Sequence, residues 1–70
     1  MKTLIMDVDT ENDAYKLSEA LYQEYNIPCF VVSMEDIFYR VFCERELDKS
    51  LDDRMTDFSR GFLFARQINE

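Results

Sequence analysis

The segment 28–44, PCFVVSMEDIFYRVFCE, most constrains how this chain can fold. It contains two runs rich in β-branched and aromatic residues, separated by the polar sequence SMED. Short apolar runs joined by a few polar residues predict two adjacent antiparallel strands. With a three-residue loop centred on Asp36, Cys29 and Cys43 would face each other across the hairpin, because they are equidistant from that position.

One strand and one helix are predicted ahead of this hairpin. Residues 3–8 alternate as a strand does, which places Leu4, Met6 and Val8 together on one face. Residues 11–25 repeat apolar side chains at helical spacing and predict an amphipathic helix. Two acids in its first turn suit the positive end of the helix dipole.

A second helical stripe follows the hairpin, and the only glycine of the chain, Gly61, interrupts it. Because Phe62 and Ala65 stay in phase with Phe58, a long helix that contains Gly61 is favoured. In the alternative, Gly61 ends the helix and residues 62–68 form a further strand.

The predicted fold is a single α+β domain of residues 1–70 with the order β-α-β-β-α. Two helices are expected on one face of a three-stranded, antiparallel-containing sheet. The alternative order, with a C-terminal strand at 62–68, is β-α-β-β-α-β. A sheet covered on one side usually has a polar second face, yet both faces of the hairpin carry large apolar side chains. The hairpin therefore has more large apolar side chains than two helices on one face can cover. This surplus predicts an exposed apolar surface, which typically marks a partner or self-association site.

The charge balance limits the class of partner. Fifteen acidic and eight basic residues give a net charge of −7, and the chain has no histidine. Such a chain repels nucleic acid and anionic membranes but is attracted to basic proteins, which rigid carboxylates can engage as a nucleic-acid mimic. No apolar run approaches the roughly 18 residues that span a bilayer. Asp7 interrupts the apolar N-terminal run that secretion requires, so a cytoplasmic location is predicted.

Neither a catalytic residue nor a cofactor is predicted. Without histidine, no serine or cysteine has the neighbouring base that triad-type catalysis requires. The acidic segment 7–13 fails as a calcium loop, because Asn12 and Ser18 occupy the positions that need Gly and Glu. In the cytoplasm the two cysteines should stay reduced.

The segment 4–10, an apolar strand followed by Asp-x-Asp, resembles the first motif of haloacid-dehalogenase-type phosphatases. That resemblance implies Asp7 as nucleophile and Asp9 as general acid/base, with Mg²⁺ between them. Here the family's Gly-Thr is replaced by Thr10-Glu11, and its later motifs cannot be placed. The prediction remains that the protein is not an enzyme.

A second resemblance covers roughly residues 3–42. The helix with Asn12 and Ala14, the strand Pro-x-Phe-Val-Val and the later Tyr-Arg-Val look like the SPOR module, which binds peptidoglycan. The resemblance implies an envelope location, but residues 46–70 do not fit it and the family's Gly after the third strand is missing. It supports the order strand, helix, hairpin.

The sequence therefore predicts a non-enzymatic, acidic protein-interaction module, an accessory or inhibitor protein of the phage type. It would dock an apolar patch and carboxylates onto a basic, nucleic-acid-handling protein, and the same surplus could join two copies as a homodimer. The predicted partner-binding residues are Phe38, Arg40, Phe42, Asp48, Asp52, Asp53, Asp57, Leu63 and Phe64. The alternative is a small regulatory domain that binds a small ligand or a divalent metal at the edge formed by residues 7–13.

Overall fold

The computed structural model of the protein describes residues 2–68, with side chains to residue 67. The elements are β1 (Thr3–Val8), α1 (Glu11–Tyr25), β2 (Cys29–Met34), β3 (Phe38–Cys43) and α2 (Lys49–Ile68). β3 is the central strand of an antiparallel sheet with the order β1-β3-β2. The predicted α+β fold is confirmed. The alternative strand at 62–68 is wrong, because those residues continue α2 in helical phase.

The core lies between the sheet and the two helices, which pack on one face of it. α1 contacts all three strands, whereas α2 packs against β1 and α1. The buried apolar residues form one cluster: Ile5, Val8, Ala14, Leu17, Leu21, Ile27, Val41, Cys43 and Met55. Neither α1 nor α2, the two helices within residues 2–68, combines the length and apolar character needed to cross a bilayer.

Local signals set the ends of α1. The hydroxyl oxygen of Thr10 accepts a hydrogen bond from the backbone N–H of Asp13 at 3.2 Å, which satisfies one free donor of the first turn. Asn26 ends the helix in the left-handed conformation with a φ of 57°. The predicted bounds 11–25 are confirmed because both caps are encoded next to the helix.

β1 contains a β-bulge at Ile5 that changes which of its side chains face the core. Leu4 and Met6 pair with successive residues of β3, so Ile5 between them has no partner of its own. Ile5 and Val8 are buried, while Leu4 is 48% exposed on the opposite side. The prediction that Leu4 shares a face with Met6 and Val8 is therefore wrong.

The hairpin has the predicted three-residue loop, with Cys29 opposite Cys43 and Met34 opposite Phe38. Two loop residues, Glu35 and Asp36, have φ values of 57° and 58°. Such left-handed conformations strain ordinary residues and match the type of turn that usually carries Asn-Gly. Besides the pairing of the strands, Ser33 holds the turn: its hydroxyl donates to Asp36 Oδ1 at 3.1 Å and accepts from the backbone N–H of Asp36 at 3.2 Å.

Replacing Glu35 with asparagine and Asp36 with glycine should stabilise the protein. Both new residues adopt the left-handed conformation more readily, and the Ser33–Asp36 side-chain hydrogen bond that is lost is exposed, so we expect a net gain of about 1 kcal/mol in the free energy of unfolding. In a domain of this size, each kcal/mol raises the melting temperature by about 4–8 °C. The matched control, the double variant Glu44→Asn and Glu46→Gln, also removes two exposed acids but lies outside the turn. An equal rise in both variants would attribute the gain to charge and contradict the prediction.

Gly61 lies inside α2, as the long-helix prediction requires, and its replacement by alanine should stabilise the helix. A Cβ added at Gly61 would meet nothing within 4 Å. Alanine is favoured over glycine by roughly 1 kcal/mol in a helix interior, so thermal denaturation should show a higher melting temperature. The reverse change at exposed Ala65 in the same helix should lower it by a similar amount. A lower melting temperature for Gly61→Ala would contradict the prediction.

Candidate protein-interaction surface

The side of the sheet opposite the helices, here termed the outer face, is largely apolar. Register and alternation place on it Leu4, Asp7, Phe30, Val32, Met34, Phe38, Arg40 and Phe42. Leu4, Phe30 and Val32 are 48%, 43% and 42% exposed, and the other apolar members are half-buried. Among the described residues, no helix covers this side of the sheet.

Aromatic rings organise one half of the outer face. The ring centres of Phe30 and Phe42 lie 5.8 Å apart on neighbouring strands. The Nζ atom of Lys2 lies 5.0 Å from the ring centre of Phe42, within the range of a cation–π contact. Beside these rings runs a groove of about 300 Å³, whose lining includes Leu4 and Val32. The surface therefore presents a partner with an aromatic pair, Phe30 and Phe42, and with the groove beside it.

A bidentate ion pair joins β1 to β3 on the outer face. Arg40 donates from Nε to Asp7 Oδ1 at 3.0 Å and from Nη2 to Asp7 Oδ2 at 3.3 Å. These hydrogen bonds, followed by the charge of Asp7, raise the pKa of Arg40 above its ordinary value. The Arg40 guanidinium also lies 5.8 Å from the ring centre of Phe38. The two charges on this part of the face therefore neutralise each other.

The structure brings together three of the predicted partner-binding residues, Phe38, Arg40 and Phe42, which all lie on the outer face. That prediction rested on the alternation of side chains between the two faces along β3. The same alternation in β2 places Phe30 and Val32 beside them, and these residues were missed although the signal was present. Leu4 had no such signal, because its orientation depends on the bulge in β1.

The predicted acids lie on α2 or immediately before it, in the layer behind the sheet, and are not part of the outer face. Asp48 caps α2, since its Oδ1 accepts from the backbone N–H of Leu51 at 2.8 Å. Asp53 and Asp57 form ion pairs with bases of the same helix at 3.5 and 3.9 Å. Asp52 is half-exposed in the first turn. These carboxylates stabilise α2 locally and contribute to the negative electrostatic potential around the protein.

The last two predicted residues, Leu63 and Phe64, have different environments. Leu63 is half-buried and packs against the core, so it contributes less free surface than the sequence pattern indicated. Phe64 is 64% exposed on α2. The predicted set therefore divides between two surfaces, the outer face of the sheet and the solvent side of α2.

Two carboxylates of the edge formed by residues 7–13 are paired with arginine side chains. Asp7 is bound by Arg40, and Asp13 accepts a hydrogen bond from Arg66 Nε at 2.8 Å. Asp9 joins these two acids in the lining of a cavity of about 210 Å³. Within the part of the chain that the structure describes, no group of three or more His, Cys, Asp or Glu could hold a metal ion. The observed role of Asp7 and Asp13 is to link strands and helices.

The cysteine pair should react slowly with thiol reagents. Cys29 and Cys43 are free and directly opposite each other, and Cys43 is fully buried. Burial, followed by the neighbouring Cys43, raises the pKa of Cys29 from 9.0 to about 11. Near pH 8 the thiolate fraction, and with it the alkylation rate by iodoacetamide, should be about 100-fold lower than in the unfolded chain.

The sign of the shift also predicts a pH dependence. Because folding favours the protonated thiol, the contribution of Cys29 to stability should be complete below about pH 9 and lost as the pH rises towards 11. Urea titrations between about pH 8 and 11 measure this loss of stability, and alkylation rates of native and urea-unfolded protein at about pH 8 measure the pKa shift itself. Equal rates in the two states at pH 8 would contradict the prediction.

Comparison with known proteins gives no relative: no protein-family model, curated protein or solved structure matches this chain. The resemblances to the phosphatase motif and to the SPOR module are therefore not accompanied by a family match. Function has to be inferred from the chemistry of the surface itself.

Proposed function

We propose that the protein is a non-enzymatic interaction module, an accessory or inhibitor protein that docks the outer face of its sheet onto a partner protein. One observation carries the proposal: the uncovered side of the sheet presents apolar side chains from all three strands. Burying apolar surface gains roughly 25 cal/mol for each Å². A contiguous exposed patch of this kind is typical of binding sites.

The ion pair on the outer face is compatible with burial. Arg40 and Asp7 already satisfy each other through two hydrogen bonds, so a partner that covers them does not isolate a single charge. Aromatic residues and arginine are also enriched in the cores of protein interfaces. Phe30, Phe42 and Arg40 are the expected anchors.

The charge of the chain favours a basic partner, such as a protein that handles nucleic acid. The net charge is −7, and exposed acids lie at both ends of the hairpin strands, at Glu35, Asp36 and Glu44. Opposite charge accelerates association and excludes acidic competitors. In this proposal the acids of α2 act at long range, and the contact is made by the outer face. A cytoplasmic location agrees with the two free cysteines.

Affinity capture with matched variants tests the proposal. The wild-type protein should retain a specific protein, identified by mass spectrometry, and Leu4→Lys on the outer face should lose it. The control Phe64→Lys adds the same charge at an exposed apolar residue of α2 and should keep it. Capture should weaken as salt rises from about 0.1 M to 1 M, where the Debye length falls from about 10 Å to 3 Å. Retention by Leu4→Lys equal to wild type would contradict docking through the outer face.

A further inference from the structure

The edge of the sheet at β2 lacks the features that usually prevent a strand from pairing with another chain. β1, the other edge, has a bulge at Ile5 and a charge at Asp7. β2 runs for six residues, CFVVSM, without a charge, a proline or a bulge. Natural proteins normally protect an edge by one of these devices, because the free backbone groups of an edge strand pair readily with a further strand.

The backbone groups that face outward from β2 can be identified from two hydrogen bonds. The carbonyl of Met34 accepts from the backbone N–H of Ile37 in the turn at 3.1 Å, so Met34 directs its backbone groups towards β3. Cys29 lies five residues before Met34, so alternation directs its backbone groups away from β3, and its carbonyl accepts from the hydroxyl of Ser18 at 2.8 Å. Successive residues of a strand alternate between the two sides.

By this alternation, Val31 and Ser33 direct their N–H and C=O groups outward from the sheet. Each therefore offers one donor and one acceptor at the free edge of β2. The outward carbonyl of Cys29 is already bound by Ser18. The part of the edge that remains to be paired is short and centred on Val32.

From this pattern we infer that β2 pairs antiparallel with β2 of a second copy, about a two-fold axis at Val32. Val31 of each copy then lies opposite Ser33 of the other, and the two pairs form four hydrogen bonds. A shift of two residues in one direction would direct Cys29, whose carbonyl is taken, into the pairing; in the other direction it would oppose Val31 to Glu35, which lies in the turn. A shift of one residue would oppose core-facing and outward-facing side chains. Among these registers, the one centred on Val32 pairs the outward N–H and C=O groups of both Val31 and Ser33 in each copy.

Two exposed tyrosines on α1 support the same pairing. Tyr15 and Tyr22 are 57% and 51% exposed, and with Pro28 and Cys29 they line a cavity of about 390 Å³ beside β2. A two-fold axis perpendicular to the sheet keeps the helices of both copies on one side, so the two α1 helices become neighbours across the joined edge. Tyrosine is enriched in protein interfaces. These exposed rings would then lie at the interface between the two copies.

The result would be a continuous six-stranded sheet with a doubled outer face. Pairing along β2 uses the backbone groups at the edge of the sheet, whereas the proposed docking uses the side chains of the outer face, so the pairing does not require the docking. Val32 lies next to Val32 of the second copy, whereas Leu4 lies on the far edge strand. This difference separates the two surfaces experimentally.

Sedimentation equilibrium on the purified protein tests the dimer. The wild type should show a monomer–dimer equilibrium, and Val32→Lys should weaken it by more than about tenfold, because like charges would oppose each other across the axis. Leu4→Lys changes a residue of the outer face that is slightly more exposed than Val32, and it should leave the dimer intact while it abolishes partner capture. A wild type that stays monomeric up to about 0.5 mM, or equal loss of the dimer in both variants, would overturn the inference.

Disulfide cross-linking tests the register without relying on a destabilising charge. Two cysteines at position 32 would have Cα atoms about 4.5 Å apart, within the range for a disulfide, so Val32→Cys should give a covalent dimer on mild oxidation. The control Phe30→Cys lies on the same face of β2, but its two copies would be about 13 Å apart and should not cross-link. Equal cross-linking of the two variants would overturn the register.

Hydrogen exchange identifies the occupant of the edge. The amides of Val31 and Ser33 should become protected as the protein concentration rises, while that of Val32, which faces β3, should be protected throughout. Protection of Val31 and Ser33 that appears only when another protein is added would assign this edge to that protein and overturn self-pairing.

Discussion

Replacing Leu17 with alanine is expected to remove most of the stability of the folded protein. Leu17 is fully buried in the middle of α1, within the cluster that joins the helices to the sheet. Such truncations cost about 2–5 kcal/mol, because they lose the transfer free energy of the side chain and leave a cavity. A core of this size rarely supplies more than about 3–5 kcal/mol of net stability. Far-UV circular dichroism during urea titration should show the variant largely unfolded at low denaturant.

Leu4→Ala is the matched control, since it removes the same atoms from a side chain that is 48% exposed. Only part of the transfer free energy is lost there, so its cost should be about 1 kcal/mol or less. Equal costs for the two variants would contradict the position of α1 over the sheet. A folded Leu17→Ala with unchanged urea midpoint would contradict the core assignment.

The elements that could be predicted from sequence are those with local signals. α1 lies between a threonine cap and Asn26, followed by Pro28, and all three signals lie within two or three residues of its ends. The hairpin was predictable because two β-prone runs flank a short polar loop. Gly61 was interpreted correctly because the apolar phase continues past it.

Features that depend on partners distant in sequence could not be predicted. The bulge at Ile5 arises from how β1 pairs with β3, and nothing in residues 3–8 indicates it. Arg66 and Asp13 are far apart in the chain, yet their ion pair joins the end of α2 to the start of α1. Ser59 is fully buried in the apolar stripe of α2, where its hydroxyl donates to the carbonyl of Met55 at 2.7 Å. Because serine is polar, the apolar pattern of the sequence does not indicate that Ser59 is buried.

The candidate site was predictable in part for the same reason. Alternation along β3 places Phe38, Arg40 and Phe42 on one face, and this rule holds wherever no bulge intervenes. The acids were grouped with them on composition and charge, which carry no information about which layer a residue occupies. With both helices behind the sheet, the solvent side of α2 points away from the outer face. Charge and apolar contact are therefore properties of different surfaces in this fold.

Replacing Met55 with alanine should have the second-largest effect, because it removes the main buried contact of α2. Met55 and Ser59 are the fully buried side chains among the described residues of α2, and Met55 is the larger and the only apolar one; the other apolar contacts of the helix are half-buried. Near it, the Tyr25 hydroxyl donates to the carbonyl of Arg54 at 3.3 Å, and the rings of Tyr25 and Phe58 meet edge to face at 5.7 Å. Neither contact fills the space that the methionine leaves. We expect a cost of about 2–5 kcal/mol.

Met55→Leu serves as the control, since it nearly conserves volume and should cost less than about 1.5 kcal/mol. The urea midpoint gives the free energy for each variant, and hydrogen exchange shows where the structure opens. Because small domains unfold cooperatively, protection in α2 and in the central strand β3 should fall together in Met55→Ala. Loss of protection in α2 alone, with β3 unchanged, would mean that the sheet and α1 persist without α2, and that the core cluster does not unite both layers.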